Sequence, residues 1–336
     1  MAYEAYNGGQ EDFALERALK AKRQSERDKK QREDQQRREK FAAEARQAHL
    51  IEIGEILHPN VARAYQYAEK NILPKRDYSI HATDFQDIKP QGEIMRDMAK
   101  VMERRKQFKA SETLIEKNLE IKSKLFEAMF VYMSKHCNLL GQESVAKRTS
   151  LVDDILNGID MYAEAPSSTE GEESLVIGFD VTFSANKVSK KLERYKQNIG
   201  EGNLGKISFF QNTLTGINQK DPRYQVPRVV IGTSMKAIEE LSTLLVAGKI
   251  KELMAHPMQR VIAEEMCDQL LPMCTYAEEI GEKGLAEKLR RVLAAAEKLK
   301  EAKKSIPLQG YEHDAVARQI REQSAAIFAG KIAAAA

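Results

Sequence analysis

The apolar positions of this chain follow two rhythms. Over most of its length they recur every three or four residues, the spacing of one helix face. In one central stretch they alternate, as in a strand. Ile51, Ile53, Ile56 and Leu57, then Val61, Ala64 and Ala68, predict an amphipathic segment over 50–71, with Pro59 in the first turn of a new helix. Residues 72–91 hold two prolines and few periodic apolar positions, which predicts a connector. A long helical segment follows over 92–140, carried by Met95, Met98, Val101, Met102, Leu114, Leu119, Leu125, Phe126, Met129, Phe130 and Met133. Residues 143–157 predict a helix that stops before Gly158, a natural C-terminal glycine.

The rhythm then changes. Over 158–164, Ile159, Met161 and Ala163 alternate with Asp160, Tyr162 and Glu164. Over 174–184, Leu175, Ile177, Phe179, Val181 and Phe183 take one face, and Val176, Gly178, Asp180, Thr182 and Ser184 the other. The turn-like link PSSTEGEE predicts a hairpin, with Asp160 and Asp180 on the face opposite the apolar one. A helix over 186–199 follows, then strands over 205–211 and 226–233 with the loop NTLTGINQKDPRYQ between them. From Ser234 to about Ile306 the chain reads as helices punctuated by Pro257, Pro272 and glycines, with a last helix over 312–329 and a plain tail at 333–336.

Composition narrows the setting. Charged residues make up 31% of the 336 and apolar ones 42%, so a core can form while much of the chain faces water. The net charge of +3 argues for no partner by itself, but basic residues exceed acidic ones in the run over 13–49. That run lacks Pro and Gly and has too few apolar positions for a core stripe, so it reads as a solvated helix or a disordered arm able to touch phosphates. Cys137, Cys267 and Cys274 form no CxxC pair, which excludes a zinc cluster or disulfide framework and leaves buried thiols. His136 beside Cys137 has no partner at ligand spacing. No apolar targeting segment is visible and no run approaches the ~18 apolar residues of a membrane span, so the expected setting is the reducing cytoplasm, with no membrane partner.

The central stretch carries the candidate chemistry. Phosphodiester hydrolysis needs charge neutralised and water activated, and clustered carboxylates hold Mg²⁺ or Mn²⁺ for both purposes because hard cations prefer oxygen ligands. Asp160 and Asp180 on adjacent strands fit that need. Thr182 follows Asp180 on the same side, where a lysine would be most direct, so the lysine must come from elsewhere. On the helix over 186–199 the apolar face is Val188, Leu192, Tyr195 and Ile199. At about 100° per residue, Lys190 points away from that face, while Lys191 and, one turn earlier, Lys187 lie on its border. Lys191 is the first choice for the lysine leaning toward the strands and Lys187 the second.

These residues resemble the PD-(D/E)XK nuclease superfamily over about 143–235. The resemblance implies that Asp160 and Asp180 are the two strand-borne acids and that Asp154, ahead of Asp153 or Glu143, is the helix-borne one. It departs from the pattern at Ile159, where a proline would precede the first acid, and at Thr182, where the lysine would stand. Some members move the lysine to the following helix, and KVSKKL fits that variant.

The expected fold class is therefore α/β: a small mixed β-sheet with a nuclease-like core in helix, hairpin, helix, strands order, embedded in a large, mostly helical chain. The expected divisions are an arm over 1–49, a helical region over 50–142, the core over 143–235 and a C-terminal helical region over 236–332. The expected activity is Mg²⁺- or Mn²⁺-dependent hydrolysis of nucleic acid, DNA ranked ahead of RNA. Asp160, Asp180 and Asp154 would hold metal. Lys191 or Lys187 would stabilise charge, Thr182 would touch the metal shell or substrate, and Arg148, Arg194 and Lys190 would grip the backbone. A half-exposed hairpin would carry outward aspartates with no catalytic purpose. The competing reading is accordingly an inactive nuclease fold or a helical interaction protein, with the long helices serving a homo-oligomer or a protein partner.

Overall fold

Thr113 and Glu116 divide the long helical segment in two. In the computed structural model the Thr113 hydroxyl accepts from the Glu116 N–H, and the Glu116 carboxylate accepts from the Thr113 N–H. This reciprocal cap starts a new helix. The structure describes residues 57–329 apart from 76, 86–88, 111–112, 167–173, 184, 213, 215–223, 309 and 313, together with residues 29, 32, 33, 35 and 36. The chain divides into two units, Met1–Ile56 and Leu57–Ala336. In the first, the five described residues are helical and exposed. The rest of the expected arm, the link PSSTEGEE, most of the loop before Tyr224 and the tail at 333–336 lie outside the described residues.

In the second unit the helices are α1 (Pro59–Asn71), α2 (Gln91–Ala110), α3 (Leu114–His136), α4 (Ala185–Gly200), α5 (Met235–Val246), α6 (Ile250–Met254), α7 (Met258–Glu279), α8 (Lys283–Lys303) and α9 (Ala315–Ala329). The strands are β1 (Val145–Arg148), β2 (Met161–Ala165), β3 (Leu175–Thr182), β4 (Gly205–Ile207), β5 (Tyr224–Val226) and β6 (Arg228–Gly232). The main sheet has the order β1-β2-β3-β6. Its first three strands form an antiparallel meander, and β6 runs parallel to β3. The crossover between β3 and β6 contains α4, and β4 pairs with β5 in a second, two-stranded sheet. The architecture is thus mixed α/β, a small sheet within a mostly helical chain.

Three expectations are corrected. Residues 143–157 do not form one helix. Asn138, Gly141 and Glu143 have positive φ and turn the chain sharply, and β1 then pairs residue by residue with β2, Val145 opposite Glu164 and Arg148 opposite Met161. Only 151–157 remain helical, ending in a π turn over Asp153–Asn157 closed by Gly158 at φ 66°. The strand expected over 205–211 stops at Ile207, because Asp153 takes the Ser208 and Phe209 N–H groups at 2.6 and 3.0 Å. The strand expected over 226–233 is broken at Pro227, which has no N–H to give, and the chain passes there from the small sheet to the main one. Pro272, by contrast, lies inside α7 and does not end it.

Both faces of the hairpin are covered, so β3 is buried along almost its whole length rather than half-exposed. On one face Phe179 meets Phe130 of α3 with ring centroids 4.8 Å apart. Burying each such ring contributes roughly 1.5–3 kcal/mol. On the other face Gly178 lets Ile159 and Val226 approach so closely that a Cβ there would stand 3.1 and 3.3 Å from their methyl carbons. Here the second sheet closes over the first, in a core with Ile207, Phe209 and Tyr162.

Strand β6 stands at the end of the sheet order, yet its backbone is not left open. Gln269 of α7 accepts from the Val230 N–H and donates to the Val230 carbonyl, both at 2.7 Å. Its amide fills the place of a neighbouring strand residue.

Candidate active site

The register of β2 against β3 sets the first distance. Met161 is opposite Phe179, so the next pair outward is Asp160 and Asp180. The Asp160 N–H donates to the Phe179 carbonyl at 2.9 Å, and its Oδ2 accepts from the Val181 N–H at 2.6 Å. The two aspartates stand side by side at one end of the strands. Asp180 is buried, and Asp160 retains partial solvent contact.

Asp180 is held from α4. Lys191 Nζ donates to its Oδ1 and to the Val181 carbonyl. Tyr195 Oη donates to Oδ2 at 3.0 Å, and Arg194 reaches the same oxygen at 3.3 Å. Lys191 and Tyr195 are four residues apart and so lie one turn apart on the same side of α4. Burial, then the Asp180 charge, holds the Tyr195 hydroxyl far above its ordinary range, so it remains a donor. Lys187 and Lys190 are exposed. Arg194 packs over Gly158, where a Cβ would lie 2.6 Å from its Nη2, so this glycine serves both the left-handed turn and the arginine.

Two further acids face Asp160. Asp154 sits on the π turn and forms a side-chain hydrogen bond with it. Glu127 comes from α3 and is paired with Arg148 of β1, whose Nε and Nη2 both lie 2.9 Å from Oε2. Burial pushes the Asp160 carboxyl well above its ordinary range, and the charges of Asp180, Asp154 and Glu127 push it further. Asp154 is raised by burial against the pull of Arg148, and Glu127 is raised by burial despite its ion pair. Arg148, Lys191 and Arg194 bring positive charge to these acids, yet burial still keeps the carboxyls of Asp160, Asp154 and Glu127 raised.

Each expected site residue has a definite place. Asp154, Asp160, Asp180 and Lys191 come together. Arg148 lies on β1 rather than on a helix and points at Glu127. Thr182 is buried at the end of β3 opposite Gly232. Asp153, weighed beside Asp154, is tied into the fold by Ser150, Asn157, Ser208 and Phe209. Glu143 occupies a left-handed turn position.

Three residues of the cluster escaped the sequence reading. Glu127 had a signal: it is a lone acid inside the buried run Leu125–Val131. Tyr195 was read only as part of an apolar face. Arg228, a lone charge in the apolar strand VPRVVIG, lies over the Tyr195 ring at 3.9 Å and donates to the Asn157 carbonyl at 2.9 Å.

Among the described residues, no group of three or more His, Cys, Asp or Glu stands ready to hold a metal ion. Both oxygens of Asp180 are engaged by α4, and Glu127 is engaged by Arg148. No protein-family model, curated protein or solved structure matches this chain. Among the described residues no helix is long and apolar enough to cross a membrane.

Proposed function

We propose that this chain is a metal-dependent nuclease, of the PD-(D/E)XK kind, whose site is the cluster of Asp160, Asp180, Asp154 and Glu127 with Lys191. The observation that carries the reading is the meeting of Asp160 and Asp180 on adjacent strands with Lys191 of the following helix on Asp180. A structural ion pair needs one carboxylate for one lysine. Here four carboxylates converge, and burial and mutual repulsion raise three of them.

The donor set fits a hard divalent cation. All its candidate ligands are oxygens, and the cost of burying Asp160 and Asp154 beside Asp180 is what Mg²⁺ or Mn²⁺ would relieve. Asp160, Asp180 and Asp154 would hold the ion. When bound, it supplies charge neutralisation at the phosphate and a more acidic water. With the ion bound, Lys191 would be the ammonium nearest the phosphate, where it would stabilise developing charge or help orient the attacking water. Tyr195 and Arg194 would keep Asp180 in place. Arg194, with its side chain 46% exposed, reaches the phosphate backbone from the rim. Lys190 and Lys187 extend that basic rim along α4.

A second reading has a specific observation in its favour. Asp180 is already satisfied by three donors, as it would be in an inactive nuclease fold serving as a nucleic-acid-binding or scaffold module. Cleavage of labelled single- and double-stranded DNA and RNA with Mg²⁺ or Mn²⁺ separates the two. The expected result is cleavage that EDTA and Asp180→Ala both abolish. Binding without cleavage in any metal supports the second reading.

A further inference from the structure

Arg228 opens β6 and is only 5% exposed. Its Nη1 donates to the Asn157 carbonyl at 2.9 Å and lies 3.5 Å from that of Gly158, and its guanidinium lies over the Tyr195 ring. Nε and Nη2 are buried and have no hydrogen-bond partner. These two groups project from one edge of the guanidinium, the fork with which an arginine grips an anion. Everything that Arg228 bonds to among the described residues is therefore neutral. Burial, and then repulsion from Arg194, works against its charge, and the charges of Asp180 and Asp160 offset that only in part. Buried charges are ordinarily paired, because leaving one alone in the interior is costly.

The same residue lines a crevice. The crevice is walled, beside Tyr195, by Asn198 and Ile199 of α4, Leu204 just before β4, Met273 of α7 and Leu289 of α8. Ile199, Leu204, Met273 and Leu289 are apolar and buried, so their side chains offer Arg228 no acceptor. The space takes about one water-sized particle. A phosphate or a carboxylate is too large for it; a single halide ion is not. A water would satisfy the two donors and leave the charge uncompensated, whereas a halide answers both.

We propose that this crevice is a site for one small monovalent anion, chloride in solution, held by Nε and Nη2 of Arg228. The ion balances a cation that is bonded to the turn following Asp154 and stacked on the tyrosine that holds Asp180. The site stands whether or not the acid cluster is a nuclease centre.

The test is thermal melting of the full chain in EDTA at fixed sodium concentration, with chloride replacing gluconate stepwise. The melting temperature of wild type rises saturably, by about 2–4 °C at a chloride concentration ten times the dissociation constant. Arg228→Met, which removes the cation and keeps an apolar stem, gives a flat response. Lys300→Gln, at an exposed position of α8, keeps the wild-type response. A measurement that needs no variant is anomalous diffraction from wild-type crystals soaked in bromide, with the expected peak at Nε and Nη2 of Arg228. An ordered water there and no bromide peak would overturn the proposal. So would a linear chloride response shared by wild type and Arg228→Met. Bromide in the crystal without any chloride response in solution would be an adventitious ion only, which also overturns it.

Discussion

Asp160 and Asp154 share a side-chain hydrogen bond, and burial, with the charges of Asp180 and Asp154, holds the Asp160 carboxyl well above its ordinary range. A carboxyl that binds its proton more tightly in the fold than in the open chain stabilises the fold below the ordinary carboxyl range. That contribution is lost as pH rises through its elevated native value. Metal-free protein is therefore expected to lose stability from acid toward neutral pH. Asp160→Asn keeps an oxygen for the Val181 N–H and removes the charge. In EDTA at neutral pH it is expected to be more stable than wild type by on the order of 1–3 kcal/mol, narrowing at acid pH. Thermal melts over a pH series check this. Mg²⁺ should stabilise wild type, not the variant, with proton release measurable in buffers of different ionisation heat.

Lys191 is the lysine that touches Asp180. Lys191→Ala is expected to lower kcat by a factor on the order of 100 or more while the melt moves little, since Arg194 and Tyr195 still hold Asp180. Lys187→Ala and Lys190→Ala, both at exposed positions, should affect KM and salt dependence instead. Equal kcat losses for all three would show that Lys191 has no special role.

Glu127 and Arg148 form a largely buried pair, with side chains 8% and 18% exposed. Glu127→Gln or Arg148→Met alone leaves a charge without its partner and is expected to cost roughly 3–5 kcal/mol. The double variant should recover much of that loss, as read by denaturant unfolding. Additive losses would mean that the two residues do not interact.

Gln269→Leu has an outcome separate from any chemistry. It leaves the Val230 N–H and carbonyl buried without partners, at a cost of about 1–3 kcal/mol for each. It also opens the edge of β6, so lower stability should come with concentration-dependent aggregation, measured by light scattering. Glutamate at this position should restore only the bond to the Val230 N–H.

The helices of this chain were legible because each carries its own apolar stripe, as in Val188, Leu192, Tyr195 and Ile199 of α4. The hairpin was legible because its alternation is local, and that alternation put Asp160 and Asp180 on one face, while the register of β2 against β3 set them side by side. The spacing of Lys191 on α4 could also be read without any tertiary information. The break at Thr113 was written in its cap with Glu116, but the apolar period on both sides concealed it.

What sequence could not supply depends on pairing across distance. Residues 145–148 have a pattern that a helix would also satisfy, and only β2 makes them a strand. Strand β4 ends where it does because Asp153, more than fifty residues earlier, takes its next two N–H groups. Glu127 joins the cluster because α3 packs across the sheet, and its place in an apolar run marks it as buried without telling what it faces. The sequence by itself determined which segments could become helices and strands, since propensity and periodicity act within a few residues. The tertiary structure alone decided which charges are buried together, because desolvation and Coulomb forces act between residues that the fold makes neighbours.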